Sequence, residues 1–67
     1  MTPVDSSNIE SVGHDPDSQE LHVQFLDGTT YVYSDVDEET FQELRDAASV
    51  GSYFNRMIKP SHSYRKL

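Results

Sequence analysis

Leu21 to Tyr33, LHVQFLDGTTYVY, sets two β-prone runs on either side of the pair Asp27-Gly28. Glycine accepts the positive φ that a tight reversal requires, so the stretch reads as a β-hairpin. In the first arm Leu21, Val23 and Phe25 alternate with Glu20, His22 and Gln24, the period-two pattern of a sheet with one buried face. Two registers follow from two loop lengths. If the loop is Asp27-Gly28, Leu26 pairs with Thr29, and Tyr31 and Tyr33 fall on the face away from Leu21, Val23 and Phe25, where aromatic rings can stack on unpaired bases. If the loop is Leu26-Asp27-Gly28, Phe25 pairs with Thr29 and both tyrosines join the core face. The longer loop is preferred, because a small domain needs the apolar area it gathers.

Upstream, Asn8–His14 reads as a first strand, with Ile9 and Val12 its apolar members, and Asp15-Pro16-Asp17-Ser18 as the turn that follows it. Downstream, the period changes from two to that of a helix. Asp35 stands three residues before Glu38 in a capping-box arrangement, and Phe41, Leu44, Ala47 and Ala48 make one stripe, giving a helix over about 36–48. Ser49 can cap a second helix, in which Tyr53, Phe54, Met57 and Ile58 share a face before Pro60 closes it. The expected fold is α+β: a three-stranded antiparallel β-meander followed by two α-helices packed on one face. It occupies residues 7–67, after a flexible N-terminal segment, residues 1–6. The expected core is Ile9, Val12, Leu21, Val23, Phe25, Tyr31, Tyr33, Phe41, Leu44, Ala48, Phe54, Met57 and Ile58. The outer edge of the first strand is left exposed, which leaves dimerisation open.

Composition limits function. At 67 residues the chain makes one domain, stable by only about 3–5 kcal/mol, and a deep catalytic cleft is not expected. There is no cysteine to form a disulfide or a thiolate metal site. Met1–Glu10 lacks the basic and apolar regions of a signal peptide, and no apolar run reaches membrane-spanning length, so a cytoplasmic protein without membrane contact is expected. The net charge is −7, unevenly spread: residues 1–44 hold eleven acids and no Lys or Arg, whereas residues 45–67 hold five bases and one acid, Asp46. The front of the chain repels phosphate and the tail attracts it.

The combination of Ile9-x-x-Val12-Gly13, Leu21-x-Val23-x-Phe25, Asp27-Gly28, Tyr31-Val32-Tyr33 and Ala48-Ser49-Val50-Gly51-Ser52-Tyr53-Phe54-Asn55 resembles the KTSC domain over roughly residues 7–67. That family takes its name from the C-terminal end of some lysyl-tRNA synthetases and also occurs as small stand-alone bacterial and phage proteins. The resemblance implies an accessory module of unknown specific role, with RNA, tRNA in particular, as its suggested partner. The chain departs from the family pattern at His14, Val32 and Asp37, where tyrosine, a basic residue and proline are usual.

The candidate nucleic-acid-binding residues are Arg56, Lys59, Tyr64, Arg65 and Lys66, which interleave cations with an aromatic as single-strand binders do. In the competing intramolecular reading, the same cations lie on the acidic sheet or the first helix. His14, Asp15, Asp17, Glu20 and His22 cluster in sequence around one turn, but a calcium loop needs a glycine at its sharp bend and none is present. No nucleophile elbow or phosphate-cradling glycine loop occurs, so neither catalysis, a cofactor nor a metal is expected. The alternative function is a protein-protein interaction module or phage-type accessory protein with no nucleic-acid role.

Overall fold

The computed structural model describes residues 1–67. Five strands, β1 (Thr2–Pro3), β2 (Ile9–Asp15), β3 (Glu20–Phe25), β4 (Thr30–Tyr33) and β5 (Tyr64–Lys66), form one antiparallel sheet in chain order. Between β4 and β5 lie α1 (Glu38–Asp46) and α2 (Val50–Tyr53), the latter running directly into a π-helical turn at Phe54–Ile58.

The central hairpin has the longer loop. Leu21 pairs with Tyr33 and Val23 with Tyr31, the Phe25 N–H donates to the Thr29 carbonyl at 2.8 Å, and Gly28 takes φ +92°. Asp27 fixes the loop through Oδ1, which accepts the Thr29 N–H at 3.0 Å and the Thr29 hydroxyl at 2.7 Å. Both tyrosines therefore share the face of Leu21, Val23 and Phe25.

Strand β2 resolves its uneven apolar spacing with a bulge. The register shifts between Ile9, opposite Phe25, and Ser11, opposite Gln24, so Ile9 and Val12 both reach the core although three positions apart. The three-stranded meander is thus the centre of a wider sheet. Thr2 and Pro3, expected in a flexible segment, pair with Val12 and Ser11 and cover the edge expected to be open. At the other end the C-terminal tail becomes an edge strand on β4, bracketed by bonds from the Ser34 N–H to Ser63 and from the Leu67 N–H to Thr30.

Both helices pack on one face, as expected, with altered limits. The N-cap is Asp37, whose carboxylate accepts the Thr40 N–H at 2.8 Å; Asp35 instead takes φ +60° and turns the chain so that Val36 enters the core before the helix begins. His14 Nε2 donates to the Val36 carbonyl at 2.6 Å and His62 Nδ1 to the Ser34 carbonyl at 2.9 Å, tying this connection to strand and tail. The first helix stops at Asp46, because Ala47 is extended (φ −64°, ψ 145°), and Ala48 is exposed rather than buried. Ser49 caps α2 as expected, accepting the Ser52 N–H at 3.3 Å. Met57 lies outside the core, 51% exposed. The bond from the Lys59 N–H to the Phe54 carbonyl spans five residues, and this wider turn keeps Ile58 beneath Phe54 while swinging Met57 to solvent.

The core gathers Ile9, Val12, Leu21, Val23, Tyr33, Val36, Leu44, Val50, Phe54 and Ile58, with Phe25, Tyr31 and Phe41 half-buried at its rim. Val32, on the opposite face, is also fully buried, between His22 of β3 and Arg65 of β5 in the register. No helix is long and apolar enough to cross a membrane.

Candidate functional site

The core face of the sheet is not covered to its end. Between the sheet and the π-helical turn a groove of about 320 Å³ opens, walled by Phe25, Tyr31, Tyr33, Phe54 and Tyr64 and edged by Asn8, Asp27, Thr29, Asn55 and Lys59. Its aromatic wall is continuous. Tyr33 meets Phe54 edge-on at 5.1 Å and Phe25 meets Tyr31 edge-on at 5.6 Å, while Tyr64 lies tilted against Tyr31 at 5.6 Å and Tyr33 at 5.4 Å. Edge-on packing fixes the lower rings and leaves the upper ones available, since Tyr64 is 60% exposed.

Strand β5 delivers the outer part of this site. Its register sets Tyr64 opposite Tyr33 and Lys66 opposite Tyr31, on the groove face, and Arg65 opposite Val32, on the other. The five candidate binding residues are therefore divided. Lys59 and Tyr64 line the groove and Lys66 shares its face, close enough to Asp27 for its charge to act on that carboxylate. Arg65 reaches across the back of the sheet to Glu20 Oε2 at 2.7 Å, and Arg56 projects from the π-helical turn without lining the groove.

Electrostatics in the groove are simple. Bonds from Thr29 hold the Asp27 carboxyl below the usual carboxylate range. Burial, then the neighbouring Tyr64 and Tyr31, pushes the Tyr33 phenol up. Behind the sheet, the bond to Arg65 holds the Glu20 carboxyl low.

The histidines that share one turn in sequence take opposite faces of the sheet. His14 pairs with Leu21 on the core face, its ring stacked on Phe41 at 5.2 Å, whereas His22 pairs with Gly13 and faces the opposite side. Both nevertheless border one depression at the edge of β2, beside Met1 and Thr2.

Sequence reasoning assigned Tyr31 and Tyr33 either to the core or to a binding face. Tyr33 belongs to the core, 3% exposed, and meets the groove only as part of its wall, whereas half-buried Tyr31 lies where the core face runs out into the groove. Asn8, Asp27, Thr29 and Asn55 went unnoticed as site residues. The aspartate-glycine turn signal marked Asp27, but nothing local in the sequence brings Asn8 or Asn55 to it.

The model of the KTSC domain matches residues 5–64. The chain is 45% identical over 60 residues to a protein of Tsukamurella paurometabola, covering 90% of each. It is 33% identical over 63 residues to a lysine–tRNA ligase of Nostoc, of which it spans only 11%. The crystal structure of a KTSC domain protein from Yersinia pestis superposes with a TM-score of 0.91 at 42% identity, covering 98% of this chain and 93% of that one. With its five-stranded sheet, two helices and matched motifs, the chain belongs to the KTSC domain family.

Proposed function

We propose that this chain is a non-catalytic accessory binding module that holds a short single-stranded stretch of RNA, with tRNA as its natural source, along the aromatic groove. The observation that carries this reading is the convergence of Tyr31, Tyr33 and Tyr64 with Lys59 and Lys66 on one face of a chain of net charge −7. Bases stack on aromatic rings for about 1–3 kcal/mol each, and flanking lysines supply the phosphate contacts. The presence of a related segment in a lysine–tRNA ligase supports RNA as the partner, and a cytoplasmic setting goes with it. The non-catalytic reading rests on the groove's ionisable groups, since a carboxyl held low and a phenol pushed up exchange protons poorly near neutral pH.

The test is fluorescence anisotropy with labelled single-stranded RNA over a range of salt. Two lysine contacts give a slope of log affinity against log salt of about −1.4, and Lys59→Ala or Lys66→Ala each reduce it by about 0.7. Arg56→Ala leaves it unchanged. No binding at low salt, or binding indifferent to both lysines, rejects the reading. A protein partner is the second reading, favoured by the half-exposed Met57 and the exposed acids Glu38 and Glu39 of α1; such a contact survives Lys59→Ala and Lys66→Ala.

A further inference from the structure

One end of the groove carries hydrogen-bonding groups of unlike kind. Asn8 and Asp27 both edge the groove, and both also border a shallower depression beside Leu26. The Leu26 N–H donates to the Asn8 carbonyl at 2.9 Å, which fastens the segment carrying Asn8 to the loop carrying Asp27.

Their free valences differ. Asp27 Oδ1 is occupied by the Thr29 N–H and hydroxyl, and since a carboxylate offers about four acceptor positions, Oδ2 remains open as an acceptor. Asn8 Oδ1 accepts the Ser6 hydroxyl at 3.2 Å, which leaves its Nδ2 amide as a donor. An acceptor and a donor thus border the same two depressions at the edge of an aromatic groove.

Among the RNA bases, guanine alone presents two adjacent donors, N1–H and N2–H, next to an acceptor, O6. Uracil sets one donor between two acceptors, cytosine turns a carbonyl toward the carboxylate, and adenine has one donor fewer. Resting on the groove as the RNA site, we infer that Asp27 and Asn8 make it selective for guanine. Asp27 accepts from N1–H and N2–H and Asn8 Nδ2 donates to O6, while the base plane lies on Tyr31 and Tyr64. Lys66, whose charge reaches Asp27, offsets part of that carboxylate's repulsion of the neighbouring phosphate.

The experiment compares uridine RNAs of about seven nucleotides that differ only in a central U, A, C or G, with the wild-type chain, Asp27→Asn and Asn8→Ala. The guanine RNA binds about tenfold more tightly than the uridine one. Asp27→Asn keeps the Oδ1 contacts to Thr29 but turns the free acceptor into a donor, so the ratio of guanine to uridine affinity falls to within about twofold. Asn8→Ala leaves the hairpin intact and lowers the preference in part. Equal affinity for all the RNAs, or a guanine preference untouched by Asp27→Asn, overturns the selectivity and leaves the groove standing as a binding site. Failure of every RNA to bind at low salt removes the groove reading, and the selectivity with it.

Discussion

Replacing Gly28 by alanine isolates the backbone choice on which the position of the tyrosines depends. Gly28 holds φ +92°, and a Cβ built there meets nothing within 4 Å, so the substitution adds no clash and tests conformation alone. Holding an L-residue in left-handed space costs about 1–2 kcal/mol. The stiffer unfolded chain returns about 0.4–1 kcal/mol of that, leaving a net loss of about 1 kcal/mol. Against a total of about 3–5 kcal/mol the loss is large, and for a domain of this size it lowers the melting temperature by about 4–8 °C. Circular dichroism during thermal and urea unfolding measures both. D-alanine, introduced by chemical synthesis, favours positive φ and reverses the sign. If the L- and D-variants shift stability in the same direction, Gly28 is not held in left-handed space and the three-residue loop is wrong.

Other consequences follow from single contacts. Val50→Ala removes about two buried methylene equivalents and costs about 1.6 kcal/mol in urea unfolding, since Val50 stands four residues before Phe54 on the buried face. Ser49→Ala removes the cap on the Ser52 N–H and costs about 0.5–1 kcal/mol, visible in the same assay. Hydrogen bonds hold four carboxyls below their ordinary values: Asp15 through the Asp17 N–H, Glu20 through Arg65, Asp27 through the Thr29 hydroxyl and Asp37 through Thr40. Their folded forms bind protons less readily than the unfolded chain. Their stabilisation is complete above the unfolded carboxylate range near about pH 4 and is lost as pH falls through the lower folded values. Acid unfolding of Glu20→Gln therefore has a shallower pH dependence than that of the wild-type chain.

The hairpin was legible because alternation and one glycine act locally, whereas its loop length and the face of its tyrosines stood between two registers, with only the apolar area a small domain has to bury favouring the longer loop. The Ser49 cap, being local too, was legible. Three features depend on contacts distant in sequence and were not. Thr2-Pro3 and Tyr64-Arg65-Lys66 are too short to show a period, and become strands only because β2 and β4 offer unpaired edges. The helix start moved from Asp35 to Asp37 because either aspartate suits a cap, and tertiary burial of Val36 decides between them. Met57 fits an α-helical stripe, and only the π-helical turn excludes it. The candidate site was half legible: the cations and Tyr64 stood out by composition, while their division between two faces required the register of β5.

Single-stranded RNA is expected on the groove face of the sheet rather than along the tail as a whole. An NMR titration of isotope-labelled protein with a short single-stranded RNA, at low and at raised salt, tests it most directly. Shifts are expected at Phe25, Asp27, Tyr31, Lys59, Tyr64 and Lys66 that fade with salt, with Arg56 and the α1 residues Glu38 to Asp46 unmoved. Shifts centred on α1 or on Arg56, or none at low salt, contradict it.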